Sequence, residues 1–430
     1  MKYLIKNGRL IDPANSTDDF LDILISNGKI ETIGKGLNTD TDEVIDAKDK
    51  IVAPGLVDMH VHLREPGRED KETVFAGTRA ALKGGFTAVL CMPNTEPAID
   101  NPTIVKLLKD IIKKDAFCEV YITGAITENR AGCKITDFKA LKKEGIIAVS
   151  DDGSSVDDKG VMCKALKDAK ESSLLLISHC EDKNISGCGV INQGFISTKM
   201  GLRGIPREAE YERIRRDIQL ADKAASAIHI AHVSTKESIE IIRKAKQKGI
   251  KVTAETAPHY FILTEDCCVT YDTNTKMNPP LRTKEDVIAI KEALRDGTID
   301  AIATDHAPHT DSEKDVEFEF APFGIIGLET ALSLAIAELV DKKVLSWPEL
   351  ILKMSANPAK ILGIDAGALK EKGLANIVII DPAKKYIYKK ETIESKAKNS
   401  PFINWELQGK AETVFANGNL VMKDGAIRPK

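Results

Sequence analysis

Apolar and polar positions follow two different rhythms along this chain. At both ends the apolar runs are short and closed by tight-turn residues. Run 2–6 precedes Asn7-Gly8, run 21–26 precedes Asn27-Gly28, run 376–380 is apolar and β-branched, and run 413–416 leads into Asn417-Gly418. Asn-Gly tolerates positive φ at both positions and is a strong hairpin signal, so these segments predict short strands joined by turns. The economical reading is one small β domain built from both termini, residues 1–52 plus 367–430. Two unrelated β extensions are the alternative.

The middle, residues 53–366, has a longer beat. Short apolar runs at 57–62, 86–92, 120–124, 146–150, 174–180, 228–234, 252–256 and 299–304 are each followed by a stretch of helical period. Those stretches are 71–83, 103–114, 136–144, 159–172, 207–225, 235–248, 284–295 and 328–340. Strand–helix alternation implies a parallel α/β sheet, and eight units is the count of a closed (β/α)8 TIM barrel. A doubly wound open sheet is the runner-up. The chain's 430 residues suit one barrel of about 250 residues plus something smaller.

Composition narrows the class. Hydrophobic residues at 43% and charged residues at 29% exclude a disordered chain, a collagen-like repeat and a membrane bundle. Lys plus Arg number 61 against 65 Asp plus Glu, so no basic excess points to nucleic acid or an anionic membrane. Eight cysteines are scattered without a CxxC pair, which predicts buried thiols and a cytoplasmic setting. The opening MKYLIKNGRLID lacks the apolar core of a signal peptide, and the apolar run 331–340 is too short for a membrane span.

The chemistry gathers on the histidines. There are eight, at 60, 62, 179, 229, 232, 259, 306 and 309, and nearly all fall at or just past the C-terminal end of a predicted barrel strand. That end is where barrel active sites form. His60 and His62 are two apart on the first strand and so share a face. His179 ends the fifth strand, His232 lies near the end of the sixth, and Asp305 ends the eighth. Four imidazoles and a carboxylate at neighbouring strand ends are costly as packing, and such N and O donors fit zinc. His229, three residues before His232, is expected on the opposite side of its strand. His259 and His306 are expected to support the site without joining it. The fourth strand ends in Ser150-Asp151-Asp152-Gly153, where periodicity leaves open which carboxylate enters the mouth.

The motifs together resemble the bacterial type I dihydroorotases of the amidohydrolase superfamily. The resemblance rests on PGLVDMHVHLREPG at 54–67, MPNT at 92–95, SDDG at 150–153, SHCED at 178–182, HIAHVST at 229–235, MNPPLR at 277–282 and TDHAPH at 304–309. It implies reversible cyclisation of N-carbamoyl-L-aspartate to L-dihydroorotate, a step of pyrimidine biosynthesis. It also implies two zinc ions per subunit: His60, His62 and Asp305 on one, His179 and His232 on the other, and Asp152 bridging them. Asp305 would double as the catalytic base. His62, Arg64, Asn94, Asn278, His309, Phe323 and Gly324 would contact substrate, Arg64 gripping a carboxylate with paired N–H donors. A homodimer and association with aspartate transcarbamoylase are further expectations from the family.

Related hydantoinases and allantoinases bridge their metals with a carbamylated lysine, and no lysine stands at that strand end here. They are the alternative enzyme reading. A non-catalytic partner of aspartate transcarbamoylase should lack ligands, and every expected ligand is present. Two departures from the type I pattern stand out: the stretch 182–194 with Ile185-Ser186 and Cys188, and Tyr260 where a second histidine is common. Other motifs fail. Gly189 to Gly194 has P-loop glycine spacing but is followed by Phe195, and neither HExxH nor GxSxG occurs.

Overall fold

The computed structural model describes residues 1–430. Its centre is a parallel sheet of eight strands hydrogen-bonded in chain order: Leu56–Val61, Phe86–Cys91, Glu119–Gly124, Ala148–Val149, Leu175–Ser178, Ile228–Ile230, Val252–Thr256 and Ala301–Ile302. The chain beyond the eighth strand returns to the first. Val61 bridges His306, and the His62 N–H donates to the His306 carbonyl at 2.9 Å. The sheet therefore closes into a barrel, and the open-sheet reading falls away.

The first two strands are buried at every position, as near-continuous apolar runs covered on both faces must be. Val57, Met59, Leu90, Met92, Ile177 and Ala301 help fill the interior, while outward residues such as Leu56, Phe86 and Ile122 join the larger core beneath the helices. Those helices start where the sequence supplies an oxygen to cap them. Thr73, Asn101, Asp137, Asp158 and Thr235 each accept from a backbone N–H of the following first turn. The last one is α-helical over Ala331–Ala335 and continues as a wider π turn over Ile336–Val340.

Several strands are shorter than their apolar runs. The run 146–150 pairs only over Ala148–Val149, 228–234 over Ile228–Ile230, and 299–304 over Ala301–Ile302. At these ends the backbone leaves the ladder. His232 has φ 36° and Asp305 has φ 48°, both in the left-handed region that side chains with a Cβ rarely adopt. The turn away from the sheet swings both side chains toward the barrel mouth.

Strands from both ends of the chain share one seven-stranded sheet. Ile51–Pro54, just before the barrel, pairs antiparallel with the start of Ile377–Ile387 and parallel with Arg9 and Leu10. Ile5, Ile23, Ile25, Ile377 and Phe415 bury one another in a separate small core. Asn27-Gly28 and Asn417-Gly418 turn hairpins as expected, joining Ser26 to Lys29 and Ala416 to Asn419. Asn7-Gly8 does not. Lys2–Lys6 and Arg9–Asp12 belong to different sheets, and the dipeptide is the corner between them. A Cβ on Gly8 would lie 2.5 Å from Val52 Cγ2, so the close approach of the sheets is what requires glycine there. No helix is long and apolar enough to cross a membrane.

Candidate metal centre and active site

The first strand sets the geometry. Asp58, fully buried, accepts from the backbone N–H of His60 and of Thr304, both at 3.1 Å, and so ties the first strand to the eighth. His60 and His62 then project from one face with ring centres 5.4 Å apart. Across the mouth, His179 Nδ1 and His232 Nε2 lie 2.8 Å apart. Asp152 stands between the two pairs. Its oxygens lie 3.3 Å from His60 Nε2, 3.5 Å from His62 Nε2, 3.6 Å from His179 Nδ1 and 3.8 Å from His232 Nε2. Asp305 Oδ1 is 3.0 Å from His62 Nε2 and 3.6 Å from His60 Nε2. Asp151 points elsewhere: it accepts from the Thr127 N–H at 3.0 Å and from the Thr127 hydroxyl. The fold thus separates two neighbouring carboxylates that the sequence pattern left equivalent.

These six side chains fit a metal-binding role. Their donor atoms form three overlapping triads, each within 4.8 Å: His60, His232, Asp305; His60, His62, Asp152; and Asp152, His179, His232. Tetrahedral zinc with Zn–N and Zn–O bonds of 2.0–2.1 Å separates its ligand atoms by about 3.4 Å, close to the spacings above. His60 Nε2 is buried with no hydrogen-bond partner, yet faces carboxylate oxygens of Asp152 and Asp305. A lone pair aimed at anionic oxygen is repulsive unless a proton or a cation lies between.

Charge and burial pull against each other here. Burial would raise both carboxyls, but the charge of His60 and hydrogen bonds from the neighbouring imidazoles win. Asp152 is held well below the usual carboxylate range, and Asp305 is lowered too. His60 goes the other way: burial disfavours its charge, and Asp152 and Asp305 more than offset that, raising it well above an ordinary histidine. His179 rises to about 9, burial again being outweighed by Asp152 and Glu181. The result is a set of carboxylates kept ionised in a water-poor pocket.

The rim carries cationic and polar groups. Arg64, itself at φ 60°, donates from Nε to the Pro308 carbonyl at 3.2 Å and lies 3.5 Å from His309 Nε2. His309 Nε2 donates to the Phe323 carbonyl at 2.9 Å, and the Lys71 ammonium approaches its Nδ1 at 3.3 Å. Burial, with Arg64 and Lys71 beside it, pushes His309 down to about 2, so the ring is neutral. Gly324 is required by crowding: a Cβ there would lie 2.6 Å from the Ala307 carbonyl and 2.7 Å from the His309 ring. Asn94 and Asn278 touch the histidines' supports. Asn94 Oδ1 accepts from His62 Nδ1 at 2.8 Å, and Asn278 Nδ2 donates at 2.9 Å to Glu181, whose carboxylate faces His179 Nε2 at 3.5 Å.

Glu255 and Asn399 went unread in the sequence, and the remaining histidines were read only in part. Glu255 lies 2.7 Å from His60 Nδ1. Its only sequence signal is an acidic residue inside the apolar strand Val252–Thr256. His229 is buried but does not face away from the site. It lies 3.4 Å from Glu255, the glutamate that His60 also contacts, because the left-handed backbone at His232 breaks the alternation that would have set the two histidines apart. His306 closes the barrel, accepting from Gly327 N–H at 3.2 Å and facing Glu72 at 3.4 Å. His259 is buried beside Tyr260 on the short helix Pro258–Ile262. Asn399, far along the chain, caps the His309 N–H at 3.0 Å and donates to the Ala307 and Gly324 carbonyls at 3.0 Å each. The stretch after His179 forms a short helix, Lys183–Ser186, and a two-strand ribbon of Ile191–Asn192 with Gly204–Ile205. Buried Arg282 anchors that ribbon by donating to Asn192 at 2.7 Å.

A family model described as dihydro-orotase-like matches residues 49–238. The chain is 53% identical over 430 residues, all of both chains, to a dihydroorotase of Elusimicrobium minutum (strain Pei191). It is 51% identical over 424 residues to a dihydroorotase of Geobacter metallireducens, covering 98% of this chain and 100% of the relative. Among solved structures, an L-hydantoinase (dihydropyrimidinase) from Arthrobacter aurescens superposes with TM-score 0.90 at 24% identity, covering 100% of this chain and 97% of that one. A D-hydantoinase superposes with TM-score 0.89 at 25% identity over the same shares. At that distance the structures speak to the fold, and the sequence relatives to the family.

Proposed function

The chain belongs to the dihydroorotase family, a family of cyclic-amide hydrolases, and from that premise we propose that its mouth holds two zinc ions at which N-carbamoyl-L-aspartate and L-dihydroorotate are interconverted. The observation that carries this reading is the reach of Asp152, one carboxylate within 3.3–3.8 Å of four imidazoles from three parts of the barrel. His60, His62 and Asp305 would hold one ion, His179 and His232 the other, with Asp152 between. Such ions supply Lewis acidity, polarising a carbonyl and making water acidic enough to act as a nucleophile near neutral pH.

The protein's own groups do the rest. Asp305 is ionised and sits against His62, so in ring opening it accepts the proton of the attacking water and passes it to the departing ring nitrogen. In cyclisation the same oxygen removes a proton from the ureido nitrogen. Arg64 meets the substrate carboxylate with paired N–H donors, and neutral His309 beside it holds the Phe323 carbonyl that forms the neighbouring wall. Phe323 and Gly324 shape the wall that receives the ring, and Asn94 and Asn278 bound it beside His62 and Glu181.

We infer the same division of labour for the whole chain: residues 53–366 carry the chemistry, and residues 1–52 with 367–430 form a supporting β domain. A cytoplasmic homodimer, able to associate with aspartate transcarbamoylase, is the setting we propose.

The test pairs metal content with activity. Asp152→Ala is expected to abolish turnover and to lower the bound zinc from two ions toward one. Asp305→Asn is expected to lower kcat by about 10²–10⁴-fold. Absorbance on ring opening of dihydroorotate against hydantoin checks the substrate. Turnover of hydantoin alone, or full activity with unchanged zinc in Asp152→Ala, would refute the reading.

A further inference from the structure

Behind the metal-facing histidines lies a second buried layer. Glu255 Oε1 is 2.7 Å from His60 Nδ1, and Glu255 Oε2 is 3.4 Å from His229 Nε2. His229 Nδ1 in turn meets the Thr253 hydroxyl at 2.8 Å. Thr253 and His229 are register partners on adjacent parallel strands, and Thr253 and Glu255 share a face two residues apart. Glu255, His229 and His60 are essentially without solvent contact. Glu255 Oε2 and His229 Nε2 are both buried without a hydrogen bond, and they face each other across 3.4 Å.

We propose that Glu255 is a positioning residue that fixes the tautomer and ring angle of His60, and that His229 braces it from behind. The inference rests on the metal-site reading above and adds to it. An ionised carboxylate only accepts, so the proton shared with Glu255 belongs to His60 Nδ1. The His60 Nε2 lone pair is then free and aimed at Asp152 and Asp305. A carboxylate behind a ligating imidazole both orients the ring and raises its basicity, and loss of such a partner typically costs 10–100-fold in metal affinity. Glu255 has two oxygens, and one hydrogen bond would leave it free to swing about its terminal torsion. The second contact, to His229, removes that freedom. His229 is itself held by Thr253, whose hydroxyl can donate to Nδ1 and leave Nε2–H for the glutamate. The order Thr253, His229, Glu255, His60 thus runs from the barrel wall to the mouth with every donor assigned. No hydrogen bond or ion pair joins Thr253, His229 or Glu255 to Asp152 or Asp305, so their action passes through His60.

The experiment titrates metal-free protein with zinc chloride against a chromophoric chelator, resolving two binding steps. Glu255→Gln can turn its amide N–H₂ toward His60 Nδ1 and force the proton to Nε2. It is expected to weaken one of the two steps by about 10–100-fold and leave the other unchanged, with KM for dihydroorotate unaltered at saturating zinc. His229→Leu keeps the Glu255–His60 contact and is expected to weaken the same step several-fold, while His229→Gln, which retains a donor, restores part of it. Equal affinity at both steps in Glu255→Gln, or equal losses at both, overturns the inference. If Glu255→Gln does not fold, the His229 pair decides: no change in His229→Leu overturns it. Asp152→Asn serves as control. Wild-type protein that binds no zinc, or binds it equally in that control, sinks the metal reading itself and is told apart from failure of the inference.

Discussion

Single residues at this site are governed by who their neighbours are. Asp151 and Asp152 are chemically identical and adjacent, yet Thr127 claims one while four imidazoles surround the other. Away from the mouth the same competition has a measurable signature. Glu329 accepts from the backbone N–H groups of Glu394 at 2.9 Å and Ser395 at 3.1 Å, but burial outweighs those bonds and pushes its carboxyl up to about 7. In the unfolded chain it ionises near the usual 4.3, so between about pH 4 and 7 the folded state binds the extra proton. Stability from this group is therefore lost as pH rises through that window, by a few kcal/mol at most. Glu329→Gln keeps the accepting oxygen and removes the titration. Its melting temperature is expected to match wild type near pH 4, to exceed it increasingly up to about pH 7, and to hold a constant lead above. A lead that does not change with pH would contradict this.

Elements depend on their ends more than on their middles. The helix Pro102–Asp115 begins at Asn101, whose side chain accepts from the Thr103 and Ile104 N–H groups at 3.0 and 3.3 Å. Asn101→Ala is expected to cost about 1 kcal/mol in chemical denaturation without changing turnover, since nothing at that cap touches the mouth. A lowered kcat in a folded Asn101→Ala protein would show that the helix start is coupled to the site. The strands teach the complementary lesson. Apolar runs predicted where barrel strands lie, but two of them stop short because the backbone turns out of the ladder to present His232 and Asp305. Hydrophobicity continues through these turns because the loops are buried too, so the pattern alone overstates strand length.

At the scale of the molecule, the C-terminal segment reaches over the barrel to finish the site. Asn399 satisfies three backbone groups around His309 and Gly324, none within 70 residues of it. Asn399→Ala is expected to raise KM about 10-fold with a smaller fall in kcat, because it loosens the rim proposed to grip substrate and leaves Asp305 in place. Unchanged KM would remove the C-terminal segment from the site. The strand Ile51–Pro54 works to the same end, since its pairing with both Arg9–Leu10 and Ile377–Ile380 ties the two chain ends to the entrance of the first barrel strand.

The sequence by itself determined the barrel, through eight apolar runs alternating with helical stretches, and it marked the histidines of the candidate metal centre, because local spacing puts His60 and His62 on one face and strand ends are readable from apolar runs. It also marked the hairpins at Asn27-Gly28 and Asn417-Gly418. Tertiary structure alone decided which of Asp151 and Asp152 faces the cage, that Asn7-Gly8 is a corner between sheets, that Glu255 and His229 stand behind His60, and that Asn399 braces the rim. The physical reason is range. Side-chain direction along a regular strand is fixed by neighbours one or two residues away, whereas hydrogen-bond partners across strands and left-handed turns are set by packing between segments hundreds of residues apart.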